Sequence, residues 1–256
     1  MSQKIKDILI KIQDIKPFIL NITNYFPMDL IASGLRSIGA FSLMSNAEQE
    51  IEELLNLAQI VVINLGKLDD KFVKLSHRIC QRASQTNKPV ILDLVGTGIS
   101  RYRTDTTISI LEKNSISIVR GYSNELESLL EGRLTIPNTS SDDQHVLENA
   151  KKLSERHDMT VVISGKFNTV IDSDKMDQFN FDSSLIQKVA GIDSLLSSII
   201  GAFHAIEKNR FDAARAAIDF YGNCVGSATS RARGPASLRM ELIDKLYINS
   251  SDIYEW

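Results

Sequence analysis

Two cysteines, five prolines and one tryptophan are all that the 256 residues contain of these types, and aromatic residues make up only 7%. Cys80 and Cys224 lie far apart and in no CxxC pair. That pattern excludes a disulfide scaffold and leads us to expect reduced thiols in a cytoplasmic chain. The four histidines, His77, His145, His157 and His204, lack metal-ligand spacing. Neither sign of charge dominates: the net charge is −3 with the signs interspersed, so nucleic acid is not an expected partner. No apolar run approaches the length of a membrane span, and the opening Met1-Ser2-Gln3-Lys4-Ile5 carries no long apolar core of an export signal. Pro/Gly/Ser-rich linkers, internal repeats and low-complexity tracts are missing too. We expect one soluble domain over residues 1–256.

What is present is apolar residues, 43% of the chain, enough for one large core. They fall into alternating short runs and helical periods. Ile5 to Ile12 reads as an amphipathic helix ending near Pro17. The runs Phe18–Ile22, Phe41–Met44, Ile60–Asn64, Pro89–Asp93, Ile116–Val119 and Thr160–Ser164 read as strands. Between them, helical spacing runs through Met28–Ile38, Ile51–Ala58, Phe72–Ala83, Thr104–Glu112 and Asp142–His157. Ser45 and Glu48 match a capping box, and Asp69 or Asp70 is placed to cap the helix of Phe72. Residues 132–142 read as a polar loop and Phe167–Phe179 as a hairpin. Three helices close the chain, near 195–208, 211–230 and 236–247, the middle one rich in Ala and Gly. Repeated strand–helix alternation with continuous apolar strands predicts an α/β fold, a largely parallel central sheet flanked by helices on both faces.

In such sheets ligands bind beyond the carboxyl ends of the strands. Those ends hold Asn21–Asn24, Met44, Asn64–Gly66, Asp93, Arg120–Gly121, Ser164–Gly165 and Gly191–Ser194, polar or glycine residues in each case. Gly191-Ile192-Asp193-Ser194 is the most telling stretch, because it opens a helix carrying Leu195, Leu196, Ile199, Ile200, Phe203 and Ile206. A Gly turn into a helix presents free N–H groups and a positive dipole end, suited to phosphate, or is a plain structural turn. Asp93 and Glu125 have the chemistry to hold a hydrated Mg²⁺, and Arg120 either neutralises a polyphosphate or forms a salt bridge.

Order and spacing together resemble the hydroxyethylthiazole kinase family of the ribokinase-like superfamily, over nearly the whole chain. Asn21-Ile22-Thr23-Asn24-Tyr25 is similar to its N-I-T-N-Y, and Ala32-Ser33-Gly34-Leu35, Gly39-Ala40 and Met44 to its A-N-G-L…G-A-S-P-V-M. Asn64–Leu68 resembles N-I-G-T-L, and Asp93–Gly98 with Arg103-Thr104 resembles D-P-V-G-x-G…R-T. Arg120-Gly121 with Glu125 resembles R-G-N-x-x-E, and Gly234–Leu238 resembles G-P-G-S-F. The resemblance implies ATP-dependent phosphorylation of the alcohol of 4-methyl-5-(2-hydroxyethyl)thiazole by a homotrimer with sites between subunits. By position it implies that Asn24, Met44 and Gly191 serve the thiazole and Arg120 and Ser164 the ATP. Asp93 and Glu125 would then stand near Mg²⁺.

Departures gather at the reaction centre. Where the family reads V-T-G-[TA]-G-C-L-L, this chain has Val189-Ala190-Gly191-Ile192-Asp193-Ser194-Leu195-Leu196. Ser194 takes the place of the family's Cys base, and Asp193 puts a carboxylate where phosphate is expected. Arg120-Gly121-Tyr122 replaces R-G-N, and Ser164-Gly165-Lys166 replaces T-G-E. Positioning and charge stabilisation carry most of phosphoryl transfer, so an altered anion hole weighs more than a lost base. Three readings follow: an impaired thiazole kinase, an inactive relative that binds a ligand or supports a trimer, or a kinase for another small alcohol with Asp193 as a displaced base.

Overall fold

The computed structural model describes residues 1–132, 134, 143–165, 167–181 and 185–251. Most of the polar loop expected over 132–142, and Lys166, lie outside the described residues. Among the described residues eight strands form one sheet: β1 (Phe18–Ile22), β2 (Phe41–Met44), β3 (Ile60–Asn64), β4 (Val90–Asp93), β5 (Ile118–Tyr122), β6 (Thr160–Ser164), β7 (Asn168–Asp172) and β8 (Lys175–Phe179). Their spatial order is β2-β1-β3-β4-β5-β6-β7-β8. The first six run parallel, and β7 and β8 add the expected hairpin, antiparallel, at one edge.

Among the described residues ten α-helices cover the two faces: α1 (Gln3–Ile15), α2 (Met28–Ser37), α3 (Ile51–Leu57), α4 (Asp70–Gln85), α5 (Arg101–Lys113), α6 (Ser123–Glu131), α7 (Asp143–His157), α8 (Ile192–Ile206), α9 (Arg210–Thr229) and α10 (Pro235–Ser251). The continuous apolar strands divide their side chains by the two-residue period of the pleat. Ile19, Ile60, Val62, Ile91, Ile118 and Val162 enter a core shared with α1, α2, α8, α9 and α10. Leu20, Val61, Ile63, Leu92, Val119 and Val161 enter a second core with α3 to α7. A parallel sheet buried on both faces accounts for the unbroken hydrophobic runs.

Helix α8 is the centre of the first core, buried at all but three of its residues. It lies close on the sheet: a Cβ on Gly201 would come 3.1 Å from Val62 Cγ2. Ala213, Ala214, Ala216 and Ala217, buried on α9, let that helix pack closely against it.

Three local expectations need correction. The capping box of Ser45 and Glu48 does not form. The helix begins at Ile51, while the Ser45 hydroxyl accepts the Ala47 N–H and donates to the Glu50 carboxylate. A nearer turn wins over the cap, as Ser side chains permit. Helix α5 starts at Arg101 rather than Thr104, because Ser100 caps it by accepting the Arg103 N–H. The apolar run before Gly191 is a three-residue 3₁₀ turn, Ile186–Lys188, so Gly191–Ser194 does not end a strand.

Candidate active site

Parallel pairing brings the polar strand ends level. Asn64 lies opposite Asp93, Asp93 opposite Arg120, and Tyr122 opposite Ser164. Above them stands the start of α8. Gly191 has φ 88°, the left-handed conformation that glycine adopts without strain, and its Cα faces Pro27 in the β1–α2 loop. The first helical bond runs from Leu195 N–H to the Gly191 carbonyl, so the amides of Ile192, Asp193 and Ser194 come before the helical ladder.

Arg120 is the hub. Its side chain is 1% exposed; Nε donates to Ser164 Oγ at 2.8 Å and Nη2 to Asp193 Oδ1 at 2.7 Å. Nη1 lies 3.5 Å from Asp93 Oδ1. The guanidinium carbon sits 5.1 Å from the centre of the Tyr122 ring, and the Tyr122 hydroxyl donates to Asp193 Oδ2 at 2.7 Å. Burial works against the Arg120 charge, but Asp193 and Asp93 outweigh it and push the guanidinium further up. Burial also pushes the Tyr122 phenol up, with the Asp193 charge adding to it.

Asp93 is fully buried, and its Oδ2 accepts from Asn64 Nδ2 at 2.9 Å. Its carboxyl is pushed up to about 7 by burial, which outweighs the pull of Arg120 because Glu125 and Asp193 share that cation. Glu125 has both oxygens engaged, Oε1 with Gly96 N–H at 2.7 Å and Oε2 with Tyr122 N–H at 2.8 Å. Burial raises it too, and these two backbone bonds hold it back. Ser194 Oγ accepts at 3.0 Å from the same Asn64 amide that serves Asp93. Its hydroxyl is thus held by an amide, not by a carboxylate or an imidazole.

One connected network therefore holds Asp93, Arg120, Glu125, Ser164, Asp193 and Ser194. Asn24 adjoins it through Gly66, whose N–H binds Asn64 Oδ1; a Cβ there would meet Asn24 Nδ2 at 2.6 Å. Met44 stands apart on the edge strand β2, opposite Asn21 and half-buried against the first core. Four strand spacings separate it from Arg120, roughly 19 Å. Sequence reasoning passed over Asn64 as a site residue although its place at a strand end was visible. It also missed Tyr221, whose buried hydroxyl donates to the Ile192 carbonyl at 2.9 Å and steadies the first turn of α8. Tyr221 lies in a helix of small residues and carries no local signal.

The donor set does not fit a directly bound Mg²⁺. Both Glu125 oxygens are spent on backbone amides, and the free oxygen of Asp93, Oδ1, faces a guanidinium. Among the described residues no three His, Cys, Asp or Glu side chains gather as a metal set. Two cavities open at this end of the sheet, and both reach Gly165. One of about 40 Å³ lies among Tyr122, Ser164, Asp193, Leu196 and Tyr221. The other, about 230 Å³, is lined by Ser123, Val146, Leu147, Ile163, Phe167 and Thr169.

Comparison with known proteins places the chain as a whole. The chain is 32% identical over 238 residues to a hydroxyethylthiazole kinase of Leptospira biflexa, covering 92% of this chain and 89% of the relative. It superposes on the solved hydroxyethylthiazole kinase of Pyrococcus horikoshii with a TM-score of 0.89 at 26% identity, covering 98% and 96% of the two chains. A ribokinase-like superfamily protein from Enterococcus faecalis shares the fold at a TM-score of 0.67 and 13% identity, covering 99% and 95%. The model of the hydroxyethylthiazole kinase family matches residues 9–251, and with these likenesses the chain belongs to that family.

Proposed function

We propose that the protein transfers the terminal phosphoryl group of ATP to the hydroxyl of 4-methyl-5-(2-hydroxyethyl)thiazole, acting as a cytoplasmic homotrimer. The observation that carries this reading is the meeting of the α8 N-terminus with Arg120 and Ser164 at the strand ends, within a chain of this family. Backbone amides, a dipole end and a cation converging on one place suit a transferring phosphate. In this reading the nucleotide lies across Gly165, its base in the larger cavity and its phosphates toward Arg120. Asn24 and Gly191 serve the thiazole side, and Met44, remote from Arg120 within one chain, serves it from a neighbouring subunit of the homotrimer. Ser194 orients the acceptor hydroxyl and does not abstract its proton, which passes to an oxygen of the transferred phosphoryl group as the new O–P bond forms and the bond to ADP breaks. Asp93 and Glu125, expected to hold a hydrated Mg²⁺, would reach such an ion through its water shell and not as direct ligands.

One observation favours a second reading, an inactive family member that binds a ligand or supports the trimer: the Asp193 carboxylate already occupies Arg120. The displaced-base idea loses its support, since Asp193 is engaged by both Arg120 and Tyr122. ADP release from the purified protein, dependent on both thiazole and ATP, tests the first reading, with calorimetry for each ligand beside it. Turnover selects the kinase. Thiazole binding without turnover selects the second reading, and turnover with a different small alcohol replaces the substrate.

A further inference from the structure

A buried guanidinium has to be neutralised and hydrogen-bonded, and side chains of this chain already supply much of this for Arg120. Nε donates to Ser164 and Nη2 to Asp193, Nη1 faces Asp93 at 3.5 Å, and the Tyr122 ring closes one face. The Arg120 side chain is 1% exposed, so a phosphate oxygen reaches the guanidinium only when one of these covering groups moves aside. Ser164 is a buried strand residue on β6, and Asp93 is a fully buried strand residue on β4 anchored by Asn64. Asp193 differs: it lies on the first turn of α8 and its side chain is 37% exposed. It is the partner free to leave. Tyr122 fixes it by binding the other carboxylate oxygen, so both Asp193 oxygens are engaged by groups that would otherwise face an incoming anion.

We infer that Asp193 and Tyr122 work as one device, a tethered carboxylate that occupies the phosphate seat of Arg120 and sets the protein's affinity for nucleotide polyphosphate. A tethered group competes at a high effective concentration, and the free ligand has to displace it. With the pair closed, the space among Tyr122, Ser164, Asp193 and Tyr221 is about 40 Å³, far below the roughly 300 Å³ at which small-molecule pockets begin. Swinging Asp193 out to solvent frees two donors and enlarges that space together. The two side chains are 71 residues apart in sequence, yet each is useful here only with the other. This inference rests on the ATP-binding part of the proposed function and is independent of the alcohol that is phosphorylated.

The test is calorimetry of ATP, inorganic tripolyphosphate and adenosine with the unaltered chain and with Asp193→Asn, Tyr122→Phe and the double variant. Asp193→Asn is expected to tighten ATP and tripolyphosphate about tenfold or more, equal to about 1.4 kcal/mol, and to leave adenosine unchanged. Tyr122→Phe alone gives a smaller gain, because the carboxylate is loosened but stays. Added to Asp193→Asn it gives no gain or a loss, since the hydroxyl then serves the phosphate. That non-additivity is the signature of a coupled pair. Asp193→Ser, a residue suited to a helix start, has to move affinity in the same direction, and thermal melts check that each variant is folded. Unchanged or weaker polyphosphate binding in both Asp193 variants overturns the inference, as does an equal gain for adenosine. Tighter ATP binding without thiazole turnover keeps this inference and defeats the thiazole kinase. Turnover with unchanged affinity does the reverse.

Discussion

Arg120 is one cation among three carboxylates, Asp93, Glu125 and Asp193, and the sharing decides how Asp93 titrates. Asp193 takes the close contact at 2.7 Å while Asp93 stays at 3.5 Å, so burial prevails and the Asp93 carboxyl is pushed up to about 7. In the unfolded chain it reverts to an ordinary aspartate, near pH 4. Between about pH 4 and about pH 7 the folded chain keeps a proton at Asp93 that the unfolded chain has released. Stability therefore falls as pH rises through that window, by a few kcal/mol at most, and levels off above it. Glu125, also raised, adds a contribution of the same sign. Asp172 and Glu207 are lowered and act oppositely, so the informative quantity is the difference between variants. Urea unfolding from pH 4 to pH 8 is expected to show a shallower decline for Asp93→Asn, which fixes the neutral form. Parallel pH profiles for the two proteins would mean that Asp93 is ionised throughout.

Helix α8 depends on the turn that opens it. Gly191 combines φ 88° with a crowded Cα: an added Cβ would lie 3.2 Å from Pro27 Cβ and 3.3 Å from Pro27 Cα. Gly132, which ends α6, also has positive φ, 63°, but among the described residues an added Cβ there meets nothing within 4 Å. Gly132→Ala is expected to cost only the left-handed backbone term, about 1 kcal/mol, and Gly191→Ala that term plus the displacement of Pro27, in total about 2 kcal/mol or more. Urea midpoints with unchanged m-values compare the two; equal losses would remove the steric part of the argument. The turn was legible in the sequence because a glycine followed by helical periodicity is a local pattern. So were the strands, whose β-branched runs reflect burial on both faces. The α4 cap was legible as Asp69 or Asp70, and the structure selects Asp69, whose side chain accepts the Phe72 N–H three residues on. Ser45 was not, because the same side chain can close a shorter turn, and sequence does not rank the two. Nor was the Tyr122–Asp193 contact, which exists only once β5 and α8 have been packed together. The sequence marked both residues as departures from a family pattern but not as partners.

The proposed homotrimer needs a surface to form through, and the sheet's carboxyl end offers one. Tyr25 is 76% exposed and Phe26 75%, immediately after Asn24 and just before Pro27, the residue against Gly191. Ile99 and Tyr102, beyond β4, are 54% and 47% exposed, and Met240 on α10 is 68% exposed. Single exposed apolar residues are ordinary, but two neighbouring aromatics beside a candidate site suit a surface covered by another subunit. If the homotrimer forms through this loop, the loop is fixed by the neighbour, and assembly and the thiazole side of the site depend on each other. Light scattering at micromolar concentration is then expected to give a mass three times 28.6 kDa. Phe26→Asp would place a charge in the contact, whose desolvation is unfavourable unless it is paired, and is expected to shift the mass toward that of one chain. The same variant should weaken thiazole binding while its thermal stability as a monomer is retained, because Phe26 contributes little to either core. A monodisperse single chain before any substitution would rule out the trimer. A trimer that withstands Phe26→Asp would locate the contact on another face and leave Tyr25 and Phe26 to the substrate alone.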